Sequence, residues 1–497
     1  MKFGKGVSVL ALASLLASCG GGGGNAGGGN NVAALPPGGG GATPTPTPTP
    51  STCSLISRQN WAKTQIDEWY LFPETVPGNL NPSAFSSVQG YIDALTATAR
   101  DQGKDRFFTF ITSITQEDAF FASGATAGFG IRLSYDEPSS RLFVMEAFEG
   151  APALASGIDR GSEILAIGTS AGSLQTVTSL FASGGRSAVT NALGPSTAGT
   201  SRTLRLRDIS GTETTVTVTK SDYDIQPVSP RYGVRILDNG GTKVGYINLR
   251  TFIGSADQQL RDAFAQFQTE GVTDLVIDLR YNGGGLVRIA ELFADLLGGG
   301  QVSSDVQGVT RFRPSKSSNN VTRNFQQQSQ SITPSKIAFV TTGSSASASE
   351  LVINAMIPYI GNNMALVGSD TFGKPVGQIG LDRTACDDRF RIVAFTTENA
   401  DANANYFDGI ASSVANSCAA TDDLTNALGD PAEASIARAL GFLSGATCTP
   451  ISVGPPGQIA SQDSAQQGAI QKSLELSRPM LMPDQPTPAQ REVPGSF

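Results

Sequence analysis

Histidine is absent from this chain of 497 residues. Without an imidazole the chain holds neither a Ser-His-Asp triad nor a Cys-His pair, so an activated nucleophile must find another base. Charge is sparse too, at 16% Asp, Glu, Lys and Arg, and the basic residues form no cluster. With a net charge of -8, that pattern argues against nucleic acid as a partner. The apolar run at 7–17 is too short to span a bilayer as a permanent helix. What is present is 39% apolar residues over a length that suits about three domains.

The richest stretch covers 337–378. An apolar, β-branched run ends at Gly343, and Leu351, Ile353, Met356 and Ile357 then recur at helical spacing. Ser345, Ser347 and Ser349 therefore sit at the start of a helix. Lysine is the known substitute for a histidine base, and Lys374 follows in the Gly-containing turn Thr371-Phe372-Gly373-Lys374. Ser347-Ala348-Ser349-Glu350 also has the spacing of a capping box, a structural role for the same serine.

Taken together, the Ser-Ala-Ser-Ala-Ser-Glu run, the Thr-Phe-Gly-Lys turn and Gln378 resemble the carboxyl-terminal processing (tail-specific) serine proteases, which use a Ser/Lys dyad. The resemblance implies Ser347 as nucleophile, Lys374 as base and Gln378 as the residue orienting the lysine. It implies no metal and no cofactor. Tyr281-Asn282-Gly283-Gly284-Gly285 lacks the Gly-Lys-Ser/Thr ending of a phosphate loop. In the family this motif supplies one oxyanion amide, placed at Gly284, with Ala348 supplying the other. A neutral lysine is needed, and lowering its pKa from about 10.4 to about 7.5 takes burial worth roughly 4 kcal/mol. Phe372 and Val376 are the expected apolar wall. The helix-to-turn connection is about two residues longer than the family pattern, at 361–363, and Gly409-Ile410-Ala411-Ser412 stands where the family often has Gly-Ile-Pro-Asp.

The segment 124–222 reads as short strands around Gly turns and resembles a PDZ domain through Gly128-Phe129-Gly130-Ile131, Gly150-Ala151-Pro152-Ala153 and 157–167, with Ser162 in place of the usual aspartate. In PDZ domains the first of these is the loop that holds a peptide carboxylate, so Gly128, Phe129, Gly130 and Ile131 are the expected substrate-binding residues. Beyond it, strands near 244–249 and 274–280 alternate with a helix at 256–267, the pattern of a parallel sheet with crossovers. The expected fold class is mixed α/β: a crotonase/ClpP-like protease core, a PDZ-like β domain and a small N-terminal helical cap.

Residues 1–19 resemble a bacterial lipoprotein signal ending in Leu16-Ala17-Ser18-Cys19, which implies lipidation of Cys19 and a lipid anchor at the cell envelope, outer membrane facing the periplasm. A Gly-rich then Thr-Pro spacer occupies 20–52. The helical region is expected at 53–123 with no residue that suggests chemistry, the PDZ-like domain at 124–222 and the protease core at 223–448. A long loop or partly ordered insertion is expected at about 298–336, and a largely disordered tail at 449–497. Four cysteines beyond Cys19 allow two disulfides with three connectivities, or free thiols; Cys386 with Cys418 and Cys53 with Cys448 are favoured. The expected partner is a polypeptide substrate taken by its C-terminal tail. A PDZ-containing peptide binder without catalysis, and a hydrolase of small esters or amides on the same core, are the other readings these residues allow.

Overall fold

The computed structural model describes residues 52–452 and 478–497. The expected export signal, Cys19 and the expected spacer up to residue 51 lie outside the described residues, as does 453–477.

The core sheet has six strands. Val234–Asn239 and Thr242–Asn248 form a hairpin whose two-residue loop, Gly240-Gly241, has φ of 65° and 88°, the geometry that matches the twist of a tight hairpin. Thr242–Asn248, Asp274–Asp278, Lys336–Thr341, Met364–Gly368 and Asn416–Ala419 then run parallel in that order. These strands are apolar on both faces because both faces are covered. Helices Ala256–Thr269, Val287–Leu297 and Ala348–Ile360 cover one side with Leu260, Phe264, Phe293, Val352 and Met356 buried against the sheet. Helix Ala434–Leu443 covers the other through Ile436, Ala439 and Leu440.

A second sheet, built around the long strand Asp388–Glu398, pairs with Phe110–Ser113 on one side and with Val376–Arg383 and Val306–Phe312 elsewhere along its length. The N-terminal helices Leu55–Trp69 and Val88–Leu95 pack on it, burying Ile66, Tyr70, Ile92 and Leu95 against Phe390 and Ile392. A short helical region finds its core on a neighbour in this way. The insertion at 298–336 is more ordered than a long loop: Val306–Phe312 and Val321–Asn324 form a hairpin, because Val309 and Phe312 gain pairing with the long strand.

The PDZ-like region is an antiparallel sheet in the order Ile131–Asp136, Arg141–Ala147, Glu163–Gly168, Ser201–Arg207, Glu213–Thr219. Helix Val177–Leu193 lies against it through Val177, Leu180 and Val189. This region joins the core through a buried charge cluster. Glu146 accepts from Arg132 Nε at 3.2 Å, from Arg250 Nε at 2.6 Å and from the Tyr232 hydroxyl.

Two expectations are corrected here. The disulfides are Cys53–Cys386 and Cys418–Cys448. Cys418 lies on the edge strand of the core sheet, and the chain returns beside it when Ala419 N–H donates to Thr449 O at 2.8 Å. The tail is not uniformly unstructured, since 478–497 docks on the PDZ-like region and carries the short helix Pro488–Glu492. Leu481, Val493 and Phe497 are the reason: few apolar residues suffice when a groove already exists to bury them.

Candidate active site

Three neighbouring parallel strands deliver the candidate residues. Asp274–Asp278 runs into the Tyr281-Asn282-Gly283-Gly284-Gly285 loop, Lys336–Thr341 into the serine turn, and Met364–Gly368 into the Thr-Phe-Gly-Lys turn. The strands are parallel, so all three loops leave from carboxyl ends, where open α/β sheets place their ligands. Gly368 is required at one of these exits, because a Cβ there would lie 2.4 Å from Thr341 O.

The three serines separate by their surroundings. Ser345 Oγ donates to Leu279 O at 2.7 Å and accepts from Thr342 N–H at 3.0 Å, and Ser349 Oγ donates to Asn282 O at 3.0 Å. Both are 0% exposed and occupied with backbone. Ser347 is partly exposed and has φ of 55° and ψ of -108°. A non-glycine residue held there stores strain of about 1–3 kcal/mol, a cost that accumulates at functional sites. The glycine loop stands directly against it, since a Cβ on Gly284 would lie 2.9 Å from Ser347 Cβ and 3.2 Å from Ala348 N.

Glu350 is more than the far end of a capping box. One oxygen accepts from Ser347 N–H and Lys374 N–H, both at 2.8 Å, and the other from Thr371 Oγ1 and Gly373 N–H, both at 2.6 Å. It is fully buried. Burial pushes its carboxyl pKa up while these four donors pull it back. A carboxylate with four donors is held in one place, so Glu350 fixes the serine turn and the lysine turn relative to each other. Arg106 clamps the other side of the lysine turn, its Nη2 donating to the carbonyls of Phe372 at 2.6 Å, Gly373 at 2.5 Å and Phe407 at 3.0 Å.

Lys374 Nζ donates to Gln378 Oε1 at 3.0 Å and lies 4.9 Å from the centre of the Phe108 ring. Gln378 Nε2 donates to the Phe108 carbonyl. Burial lowers the lysine pKa; Glu492 and Asp105 oppose that shift and Arg491 reinforces it. Val376 and Phe372 do belong to the surrounding apolar cluster, as expected, but the ring over the amine is Phe108, from the helical region that suggested no chemistry. Asp105 anchors that segment by accepting from Phe108 N–H at 2.7 Å and Tyr70 OH at 2.8 Å. No signal in the sequence pointed to Phe108, Asp105 or Arg106, which act across more than 260 residues. Among the described residues, no hydrogen bond joins Lys374 Nζ to Ser347 Oγ. Such bonds tighten only when substrate is bound in many enzymes.

Two amides of the glycine loop have different partners. Gly284 N–H donates to Asn282 Oδ1 at 2.9 Å, whereas Gly283 N–H faces out of the loop and holds the Glu492 carbonyl at 3.0 Å. Ala348 is the first residue of its helix, a position whose N–H has no partner inside the helix. The departure at 409–412 is accommodated locally, with Ile410 N–H donating to Thr371 Oγ1 at 3.0 Å and Ala411 N–H to Asp370 Oδ1 at 2.9 Å.

In the PDZ-like region, Gly130 N–H and Ile131 N–H both donate to the Phe497 carbonyl, at 2.9 and 3.3 Å. A Cβ on Gly128 would lie 2.7 Å from that carbonyl carbon, so glycine is required for its approach. Phe129 is fully buried beneath the loop.

Residues 243–401 match the sequence profile of Peptidase family S41. A chloroplastic carboxyl-terminal-processing peptidase 3 from Arabidopsis thaliana is 27% identical over 264 residues, covering 51% of this chain and 46% of the relative. A carboxyl-terminal-processing protease from a Picosynechococcus strain is 28% identical over 257 residues, 51% of this chain and 55% of the relative. The chain thus spans about half the length of these relatives. A Bacteroides fragilis crystal structure classed with the S41 proteases superposes with a TM-score of 0.58 at 21% identity, covering 78% of this chain and 97% of that one, which shows a shared fold. Residues 243–401 therefore carry the likeness to Peptidase family S41, and the chain is similar over about half its length to carboxyl-terminal-processing peptidases.

Proposed function

We propose that the chain is an exported serine endopeptidase that cleaves unfolded or C-terminally tagged polypeptides through Ser347 and Lys374. The observation that carries this reading is Glu350, which binds the backbone of both residues and so holds a strained, partly exposed serine and a partly buried lysine as one unit. In the reaction, Ser347 Oγ attacks the peptide carbonyl as its proton passes to neutral Lys374 Nζ. Gly283 and Ala348 N–H stabilise the oxyanion. The C–N bond then breaks as Lys374 returns the proton to the leaving amine, and water hydrolyses the acyl-enzyme with Lys374 again as base. Gln378 keeps the amine oriented between these steps.

Substrate enters by its tail, with Gly128-Phe129-Gly130-Ile131 holding the terminal carboxylate and strand Ile131–Asp136 accepting the peptide as an added strand. Lipid on Cys19 holds the protein at the envelope. The test is cleavage of a reduced, alkylated protein by purified chain. Wild-type turnover that Ser347→Ala abolishes supports the reading, and wild-type protein that binds such substrates without cutting them leaves the silent peptide binder. Equal binding of amidated and free-acid peptides would remove carboxylate capture. Absence of labelled fatty acid from the mature protein would remove the lipid anchor.

A further inference from the structure

The edge strand of the PDZ-like sheet, Ile131–Asp136, is already occupied. Residues 495–497 pair with it antiparallel: Leu133 N–H donates to Gly495 O at 2.7 Å, and Phe497 N–H to Ile131 O at 2.9 Å. The Phe497 side chain, 3% exposed, is buried in the apolar core of the region. The Phe497 carbonyl fills the glycine loop, as described above. Farther along, Leu481 N–H donates to Leu133 O at 2.9 Å, and Tyr135 N–H to Pro479 O at 3.1 Å. Thus the whole edge that would accept a peptide is paired with the chain's own 478–497 segment.

The same segment reaches the dyad. Helix Pro488–Glu492 ends with the Glu492 carbonyl on Gly283 N–H, the outward amide of the glycine loop. A Cβ on Gly283 would lie 2.7 Å from Arg491 O and 3.0 Å from Glu492 O, so this backbone lies flat on the loop. Among nearby charges, Glu492 acts most strongly on Lys374. Arg132 ties the two ends together, donating through Nη1 to Pro494 O at 3.3 Å and to the Tyr281 carbonyl at the start of the glycine loop.

We infer that residues 478–497 are an internal competitive ligand, holding the peptide groove and the mouth of the dyad at once and keeping the protein at low activity until a substrate tail displaces them. This inference rests on the proposed peptidase reading for its consequence, but not for the binding competition itself. The segment blocks without being cut because residues 488–492 are helical, with Val493 N–H on Ala489 O at 2.7 Å, and a helical turn does not offer extended backbone to the site. Being attached, it competes at an effective concentration that can reach the order of millimolar.

Two variants release it by different means. Phe497→Ala empties the apolar pocket. Gly495→Val places a side chain where φ is 82° and where even a Cβ would lie 2.6 Å from Leu133 O, so it breaks the added strand without touching the core. In a Ser347→Ala background, binding of a fluorescein-labelled peptide ending in Pro-Gly-Ser-Phe is read by anisotropy. Both variants should bind it at least tenfold more tightly than the parent, and amide exchange at Gly130, Ile131, Leu133 and Gly283 should accelerate. With Ser347 restored, both should cleave a reduced, alkylated protein with kcat/KM raised at least tenfold. Equal peptide affinity in variants whose exchange shows the segment released overturns the inference, as does exchange that stays slow in both variants. Tenfold tighter peptide binding together with no cleavage by any form would leave the competition standing and defeat the peptidase reading instead.

Discussion

Glu350 and Lys374 are joined through backbone and not by an ion pair: the carboxylate accepts the Lys374 amide N–H at 2.8 Å, while the lysine side-chain amine turns to Gln378 at 3.0 Å. The carboxylate thereby positions the base without pairing with the amine, which would hold it protonated. Glu350→Gln keeps the size but replaces one acceptor oxygen by an NH2 facing N–H donors. The expected result is a fall in kcat of about 100-fold or more with KM little changed, since the turn carrying the base loses its anchor. A matching loss of about 2–4 kcal/mol in urea unfolding follows from leaving buried donors unpaired. Wild-type kcat in Glu350→Gln would remove its positioning role.

Lys374 should govern the pH dependence of hydrolysis. Burial lowers its pKa below that of an ordinary lysine, so the neutral amine appears, and kcat/KM rises, at lower pH than an exposed lysine would permit. Phe108→Ala admits water to the amine, stabilises its charged form and should move the rising limb to higher pH. At a fixed pH on that limb the variant is slower, and at sufficiently alkaline pH the gap narrows. A pH profile of kcat/KM that keeps the same midpoint in both proteins would show that the ring does not tune the base.

The serine cluster gives opposite outcomes at adjacent alternate positions. Ser347→Ala and Lys374→Ala should each lower cleavage by several orders of magnitude, on the order of 10⁴-fold, and the double variant should be no worse than either. Ser345→Ala leaves Thr342 N–H and Leu279 O short of a partner, so it should cost stability, about 1–2 kcal/mol, and retain appreciable turnover. Ser349→Ala behaves in the same way through Asn282 O. An inactive but fully folded Ser349→Ala would move the nucleophile.

Much of this arrangement was legible in the chain, and the illegible part has a common cause. The parallel strands announce themselves as β-branched runs, and Ser347 and Lys374 were singled out through the resemblance that a single stretch bears to a family pattern. Phe108 and Asp105 carry no local mark, since their role depends on the long strand Asp388–Glu398 folding back beside them. The disulfide partners failed for the same reason: Cys53 meets Cys386 only once the helices have docked on that sheet. In 478–497, a composition rich in Pro and polar residues conceals Leu481 and Phe497, whose burial requires a groove made elsewhere.

The Glu146 cluster predicts acid sensitivity. Burial alone would raise its pKa, but Arg250, Arg132 and the Tyr232 hydroxyl bring it down to about 2. A carboxyl with a depressed folded-state pKa stabilises above its unfolded value of 4.5 and loses that contribution as pH falls toward 2, here about 3 kcal/mol. Glu146→Gln leaves the buried Arg132 guanidinium without its counter-charge, while Arg250 keeps Glu149, and should cost about 3–5 kcal/mol at neutral pH, with a flatter acid limb. Urea midpoints at pH 7 and pH 3 for both proteins measure this, and equal acid losses would assign the sensitivity to other groups.

The bond between Cys53 and Cys386 closes the polypeptide into a covalent ring that contains the helical cap, the PDZ-like sheet, the glycine loop, Ser347 and Lys374. One nick anywhere inside the ring opens it but frees nothing. A molecule cut once between these cysteines, by itself or by a neighbour, therefore migrates as a single species on a non-reducing gel and falls into two pieces only when thiol is added. Damage within the ring can accumulate unseen while every strand of the site stays attached.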